Sequence, residues 1–296
     1  MWPAVPGGWS AVSSPLSIFP YPGGKTYHAK HIIPLLPEHH RYVEPFAGSA
    51  SVLIQKPESY IEVVNDLDRD IVQFFRILRE RADELAEWLQ HVPFARDVHE
   101  RWIEEFFDGY RPDDPIKRAG RWFFLRYSSY GAKANRPPGF KASGKRSEPR
   151  SFRGAVDRLS RLADRFAEVT IECQDYQRVV ERYDGSETVF YCDPPYPGSA
   201  HYYSAEGFDH GRLAEVLADT DGRWIVSYGE TVPDAFDRDG WIVEAFDAYY
   251  SLEGGEAGGR KPTVERLISN FDPDTSTRFA PAGQTTLGEV AGGGSA

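Results

Sequence analysis

Val189-Phe190-Tyr191-Cys192-Asp193-Pro194-Pro195-Tyr196 is the stretch from which the architecture of this chain can be read. Four apolar residues in a row, with a β-branched residue and two aromatics among them, suit a strand buried on both faces, as in a parallel sheet. The strand has to stop at Asp193, because neither Pro194 nor Pro195 can donate to a ladder. In an open α/β sheet ligands bind at the carboxyl ends of the strands. An acid, a proline of fixed φ and an aromatic ring therefore stand where chemistry takes place. An aspartate-capped Pro-Pro turn would explain the tetrapeptide taken alone, so its surroundings decide.

Upstream, Val43 leads into Glu44-Pro45-Phe46-Ala47-Gly48-Ser49-Ala50, and a short apolar helix is expected over residues 51–54. Ile61-Glu62-Val63-Val64 predicts a second buried strand ending at Asn65-Asp66, and Ile71, Phe74, Phe75 and Leu78 then recur at helical spacing. This βαβα opening favours a parallel sheet with right-handed crossovers. From residue 81 strand-like runs disappear and helical spacing takes over (Val98, Trp102, Phe106; Val156, Leu159, Leu162, Phe166), around a centre at 127–153 whose Gly, Pro, Ser and cations read as an exposed loop. Strand and helix alternate again at Val169-Thr170-Ile171, in a helix over 213–217, and at Trp224-Ile225-Val226-Ser227, Trp241-Ile242-Val243 and Arg266-Leu267-Ile268-Ser269. The expectation is an α/β, Rossmann-like domain made of residues 15–80 and 168–275, interrupted by a mostly helical module at 81–167. A Gly- and Ser-rich tail at 276–296 is expected to be disordered.

The 296 residues carry a net charge of −11, which suits neither phosphate nor an anionic surface. The distribution says otherwise. Residues 111–165 hold fifteen bases against five acids, so this segment carries +10 and the rest of the chain −21. Basic residues interleaved with aromatics and glycines make an electrostatic footprint for a nucleic acid. Arginine outnumbers lysine 26 to 8 while acids exceed bases, a balance that also suits solubility in concentrated salt. Cys173 and Cys192 are isolated in strand-like stretches and read as core residues, and the eight histidines show no ligand spacing, so no metal is expected. No apolar run reaches eighteen residues, and Met1-Trp2-Pro3-Ala4-Val5 lacks the features of a secretion signal, so a soluble cytoplasmic protein is expected.

The chemistry that fits Asp193-Pro194-Pro195-Tyr196 is attack by an amine conjugated to a ring. Such a nitrogen becomes nucleophilic when two acceptors take its hydrogens and draw it toward tetrahedral geometry. The Asp193 carboxylate supplies one acceptor and the Pro194 carbonyl the other, while Tyr196 offers a face on which a base stacks. Gly48 permits a tight turn and close approach of backbone to a ligand. Asp66, eighteen residues later, stands where an acid accepts hydrogen bonds from ribose hydroxyls, although it would also serve as a helix N-cap. A nucleoside without a pyrophosphate cradle is what S-adenosylmethionine would require. Phe19-Pro20-Tyr21-Pro22-Gly23-Gly24-Lys25 reads as a loop closing over that ligand, with Lys25 toward a methionine carboxylate and Tyr21 packing on the cofactor, or as a plain N-terminal turn.

In this order, Pro-Gly-Gly-Lys, Glu-Pro-Phe-Ala-Gly-Ser-Ala, Asn-Asp-Leu-Asp, a helical module and Asp-Pro-Pro-Tyr, the chain resembles the DNA adenine methylase (Dam) family over residues 19–271. The resemblance implies an adenine-specific, site-specific DNA methyltransferase. It implies cofactor contacts from Tyr21, Lys25, Asp66 and Asp193, with Glu44, Phe46 and Gly48 in the cofactor-binding loop. Val226-Ser227-Tyr228-Gly229 and the run from Tyr250-Ser251 to Glu265-Arg266 resemble the segments that wall the active site, and Asp175-Tyr176 stands near the cofactor's adenine. The inserted module is the target-recognition domain, with Arg126, Lys133, Asn135, Arg136 and Lys141 expected on double-stranded DNA. That module departs from relatives that read GATC, since Leu125-Arg126-Tyr127-Ser128-Ser129-Tyr130-Gly131-Ala132-Lys133 lacks their Asn-Gly hairpin; GATC is only the first site to test. The expected enzyme is a monomer without metal, and a restriction-modification setting is one context for it. Three other readings stay open: the same transfer to a cytosine amine or to RNA, a non-catalytic nucleic-acid-binding module on this fold, and a nicotinamide-dependent oxidoreductase, which the missing phosphate-cradling glycines disfavour.

Overall fold

The computed structural model of the chain describes residues 16–130, 137–198, 207–251 and 260–274. Seven strands form one sheet. At its centre β1 (Arg41–Glu44) runs parallel to β2 (Ile61–Asn65). A separate hairpin follows, β3 (Ser129–Tyr130) with β4 (Gly139–Phe140). The sheet resumes with β5 (Val169–Glu172), β6 (Thr188–Cys192) and β7 (Arg223–Tyr228), all within its parallel part, and ends in an antiparallel pair, β8 (Ile242–Ser251) and β9 (Arg260–Ser269). The order β5-β2-β1-β6-β7-β9-β8 is the Rossmann-like arrangement expected. The chain builds outward from β1 through β2 to β5, then crosses back to place β6 on the other side of β1. At this reversal the loops leaving β1 and β6 part in opposite directions, the place where an open α/β sheet forms a ligand crevice. Glu44-Pro45-Phe46 and Asp193-Pro194-Pro195-Tyr196 leave those two strands, so both line one crevice.

A short helix, α1 (Ala29–Ile32), precedes the sheet. The 22-residue α2 (Arg69–Gln90) starts where Asp68 accepts a hydrogen bond from the Asp70 N–H, so the N-cap is Asp68 and not Asp66. It runs through the boundary expected after residue 80 and breaks only at Arg81, where φ is −146° and ψ 38°. Beyond it come α3 (Arg96–Phe107), α4 (Pro115–Ser128, capped by Asp114), α5 (Glu148–Val156, capped by Ser147) and α6 (Leu159–Phe166). On the opposite side of the sheet α7 (Tyr176–Tyr183) and α8 (His210–Ala218) pack against a second apolar cluster that includes Val179, Leu213 and Trp224.

Three local expectations are corrected. Residues 51–54 form hydrogen-bonded turns and no regular helix: Ala50 sits at φ +49°, and the Glu44 carboxylate takes the Leu53 N–H that a helix would use. Residues 127–153 are not one exposed loop, since α5 begins within them and buries Phe152 between Phe123, Phe124 and Tyr127. Of the two cysteines Cys192 is buried but Cys173 only partly so, because it lies beyond the end of β5. The tail at 276–296 lies outside the described residues. The helical module has no core of its own: Phe19, Phe74, Phe75, Trp122, Phe123, Phe152 and Phe166 belong to one continuous cluster that also takes in Val64 and Val189 of the sheet.

Candidate active site

Asp193 leaves the end of β6 with its carboxylate held by two donors from elsewhere in the chain, Lys25 and Ser227. Lys25 Nζ reaches both its oxygens, at 2.8 Å to Oδ1 and 3.0 Å to Oδ2, and also donates to the Gly23 carbonyl at 3.0 Å. The Ser227 hydroxyl, on neighbouring β7, donates to Oδ1 at 3.0 Å and is itself joined to Tyr191 Oη. An ionised carboxylate has about four acceptor positions. Three are filled, and the one left is on Oδ2. Pro194 is buried, and among the described residues its carbonyl has no donor. Asp193 Oδ2 and the Pro194 carbonyl thus both keep acceptor capacity at the end of β6. Burial pushes the Asp193 carboxyl above its usual range while Lys25 pulls it down. Burial works against the Lys25 charge too, yet Asp193, Tyr196 and Glu265 outweigh it and hold the ammonium well above its ordinary value.

Glu265 completes the cluster. It is fully buried on β9, accepts from the Tyr196 hydroxyl and lies 3.3 Å from Lys25 Nζ. Lys25 also stands 4.8 Å from the centre of the Tyr196 ring, and Tyr228 packs at 5.7 Å on that ring. Tyr196 is therefore a fixed plate. Neither Ser227 nor Glu265 was singled out as a site residue by the sequence; the only signal was that their segments resemble the walls of a known site.

The second half of the crevice is the loop after β1. Gly48 has φ +49°, and a Cβ there would come within 3.0 Å of the Tyr21 ring, so only glycine lets Tyr21 lie on the loop. The Gly48 N–H donates to Asp66 Oδ2 at 2.9 Å, and the Asp68 N–H donates to Oδ1 at 2.9 Å, which ties the end of β2 to the loop. Burial pushes the Asp66 carboxyl up to about 6 against those backbone donors. Glu44 is internal: its Oε1 accepts from Tyr42 Oη at 2.9 Å and from the Leu53 N–H at 2.7 Å, so it shapes the loop from behind. Phe46, Tyr176 and Phe208 form an aromatic wall with ring centres 5.1 to 5.8 Å apart, and the buried Tyr176 hydroxyl has no partner among the described residues. Asp175 caps α7 and pairs with Arg212 at 2.8 Å.

The expected DNA contacts are scattered. Lys133, Asn135 and Arg136 lie outside the described residues. Lys141 is half-exposed and pairs with Glu148 at 3.1 Å. Arg126 turns inward, with its Nε buried. Several arginines of the basic segment are also consumed inside the molecule: Arg111 and Arg118 both hold Asp70 at 2.8 Å, Arg121 holds Glu105 at 2.5 Å, and Arg165 pairs with Glu62. Lys145, Arg146, Arg150 and Arg153 remain exposed, on the loop before α5 and on α5 itself. Among the described residues no group of three or more His, Cys, Asp or Glu side chains is placed to hold a metal ion. None of the described helices is long and apolar enough to cross a membrane.

The sequence model of a family described as D12 class N6 adenine-specific DNA methyltransferase matches residues 21–245. The type II methyltransferase M.MjaIII of Methanocaldococcus jannaschii is 27% identical over 198 residues, covering 59% of this chain and 66%, just under two thirds, of that relative. A DNA adenine methylase of Vibrio cholerae is 25% identical over 275 residues, covering 86% of this chain and 96% of its own length. Among solved structures, precorrin 8W decarboxylase of Methanobacterium thermoautotrophicum aligns with a TM-score of 0.36 at 10% identity, over 82% of this chain and 88% of that one.

Proposed function

The chain belongs to the family of D12 class N6 adenine-specific DNA methyltransferases, and from that premise we propose that it transfers a methyl group from S-adenosylmethionine to the N6 amine of an adenine swung out of double-stranded DNA. The observation that carries this reading is the pair of acceptors at the end of β6, Asp193 Oδ2 and the Pro194 carbonyl, beside the Gly48 loop. The residues present fit the cofactor. Gly48 lets the Tyr21 ring lie against the loop after β1, and the orphaned Tyr176 hydroxyl lies in an aromatic wall suited to a nucleobase. Tyr21, Phe46, Gly48 and Asp66 would hold it, with Glu44 supporting their loop from within. When bound, the cofactor supplies an electrophilic methyl group.

The chain's own part is positioning. Exposed Lys145, Arg146, Arg150 and Arg153, with half-exposed Lys141, meet phosphates and base edges in this reading, and Lys133, Asn135 and Arg136 are further candidates from the sequence. Extruding the adenine costs a few kcal/mol of stacking and pairing. Tyr196, fixed through Glu265, receives the ring face. Asp193 Oδ2 and the Pro194 carbonyl then accept the two amine hydrogens, which localises the nitrogen lone pair for attack. Lys25 keeps the Asp193 carboxylate ionised and aimed, so that it also takes the proton the methylated amine gives up. One chain supplies all of these groups, so a monomer suffices.

The test is methylation of a mixed-sequence duplex by the purified chain with labelled S-adenosylmethionine, followed by mass spectrometry of the nucleosides. N6-methyldeoxyadenosine is the expected product, absent with Asp193→Ala although that variant still binds DNA. Label in cytosine, label only with an RNA substrate, or turnover surviving in Asp193→Ala would overturn the reading.

A further inference from the structure

Arg126 is a cation in an unusual place. It stands in the last turn of α4, four residues after Trp122 and on the same helix face. Its guanidinium lies 5.2 Å from the centre of the Trp122 ring. Trp122 in turn packs edge-on against Phe19 at 4.7 Å and against Phe74 at 5.3 Å, so this face of α4 looks toward the sheet domain and the Tyr21 loop. Within that space the Arg126 Nε is buried without a partner, and among the described residues the side chain makes no hydrogen bond and no ion pair.

The acids nearby do not answer for it. Asp70 is held by Arg111 and Arg118, each at 2.8 Å, and Asp68 Oδ1 caps α2. Burial pulls the Arg126 pKa down, and Tyr21, Asp68 and Asp70 only partly restore it. A partly buried guanidinium whose Nε is out of solvent and unpaired is costly, and guanidinium geometry is matched to carboxylate or phosphate. Lys25, the other cation of the crevice, is committed to Asp193 and Glu265. A further carboxylate brought to Lys25 would be repelled by those two.

We propose that Arg126 is the carboxylate-binding residue of the cofactor pocket, holding the α-carboxylate at the methionine end of the methyl donor beside the Tyr21 loop. This rests on the reading of S-adenosylmethionine as that donor. A DNA phosphate is the competing anion, but it would have to enter between Trp122 and the sheet domain, on the face of α4 turned away from the exposed cations of α5.

Calorimetric titration separates the possibilities. The purified chain is titrated with S-adenosylmethionine and with 5′-deoxy-5′-methylthioadenosine, which keeps the nucleoside and sulfur but lacks the amino-acid end. In Arg126→Gln, S-adenosylmethionine affinity should fall about tenfold or more, the loss expected when a charged hydrogen bond is removed. The methylthioadenosine affinity should not change, and Arg126→Lys should be intermediate. Without ligand, the urea midpoint of Arg126→Gln should equal or exceed that of the parent, since the substitution gives up neither a hydrogen bond nor an ion pair. The proposal is overturned if both ligands lose affinity equally. It is also overturned if S-adenosylmethionine binding is unchanged while DNA affinity and its salt dependence drop, which would assign the residue to a phosphate. Should Arg126→Gln not fold, Arg126→Lys carries the same comparison, and equal affinity of the parent chain for the two ligands would be enough to reject the proposal. A parent chain that binds neither ligand removes the donor reading itself, and this inference with it.

Discussion

Asp193 accepts three hydrogen bonds of unequal consequence, and each donor can be removed separately. Ser227→Ala deletes one neutral donor at Oδ1 and leaves the Lys25 pair in place. It should lower kcat roughly tenfold with little change in KM for DNA, the scale of one hydrogen bond of about 1 kcal/mol; steady-state kinetics checks this, and an unchanged kcat would remove Ser227 from the positioning network. Glu44 offers a pH prediction. Burial pushes its pKa from 4.5 up to about 7, above its unfolded value. Its contribution to stability is therefore fully present below about 4.5 and is lost as pH rises through about 7. Burial lowers His28 and His39 to about 4, and their contribution runs the other way, present at neutral pH and lost on acidification. A difference between variants isolates the carboxyl. Glu44→Gln should gain stability relative to the parent between pH 5 and pH 8, by on the order of 2 kcal/mol. Urea midpoints at the two pH values measure it, and an equal difference at both would contradict the assignment.

At the scale of elements, the packing of α2 on α4 depends on one residue with no side chain. Gly120 of α4 faces Trp88 of α2, and a Cβ there would come within 2.4 Å of the indole ring. Alanine is the better helix former by about 1 kcal/mol. Here the clash should win, because the ring is also stacked on Trp102 at 5.9 Å and would have to give up that contact to move. Gly120→Ala should therefore destabilise the chain by roughly 1–3 kcal/mol, seen as a lower urea midpoint, and a stabilised variant would show that Trp88 can swing aside. Other element ends are set by residues beside them in the chain. Asp114 precedes Pro115 and Ser147 precedes Pro149, each accepting an N–H of the first turn as the sequence pattern of a capped helix start implies. The length of β8 and β9 is not legible in the sequence, because neither Ile242–Ser251 nor Arg260–Ser269 alternates polar and apolar residues along its length with the period of two that marks a strand.

Over the whole molecule, the charge pattern that suggested nucleic acid is redistributed by folding. Arg111, Arg118, Arg121 and Arg165 are bound internally, and Arg165 joins the buried group formed by Lys56 and Glu62, where Lys56 Nζ lies 2.5 Å from Glu62 Oε1. That group ties α6 to β2, so the helical module is fastened to the sheet by charge as well as by the shared aromatic core. The cations left to meet DNA include Lys145, Arg146, Arg150 and Arg153. Replacing all four with Gln should reduce the slope of log K against log salt by roughly 3 to 4, near 0.9 for each phosphate no longer neutralised. Fluorescence anisotropy over a potassium chloride series reads the slope, and an unaltered slope would move the DNA-facing surface elsewhere.

What the sequence determined by itself was everything encoded within a short window: the buried strand ending at Asp193, the glycine turn at Gly48, the second strand ending at Asp66 and the interruption of the sheet by helices. Period and punctuation report local backbone, and a strand that stops at Asp-Pro-Pro has to present its acid at a sheet edge. Only the tertiary structure decided which groups meet there. Strand order brings Lys25, Ser227 and Glu265 to Asp193 from three distant parts of the chain. Helix packing turns Arg126 inward, buries Arg165 and pairs Arg111, Arg118 and Arg121 with acids of the same chain. Pairings of this kind depend on which elements become neighbours, and no local pattern of residues carries that information.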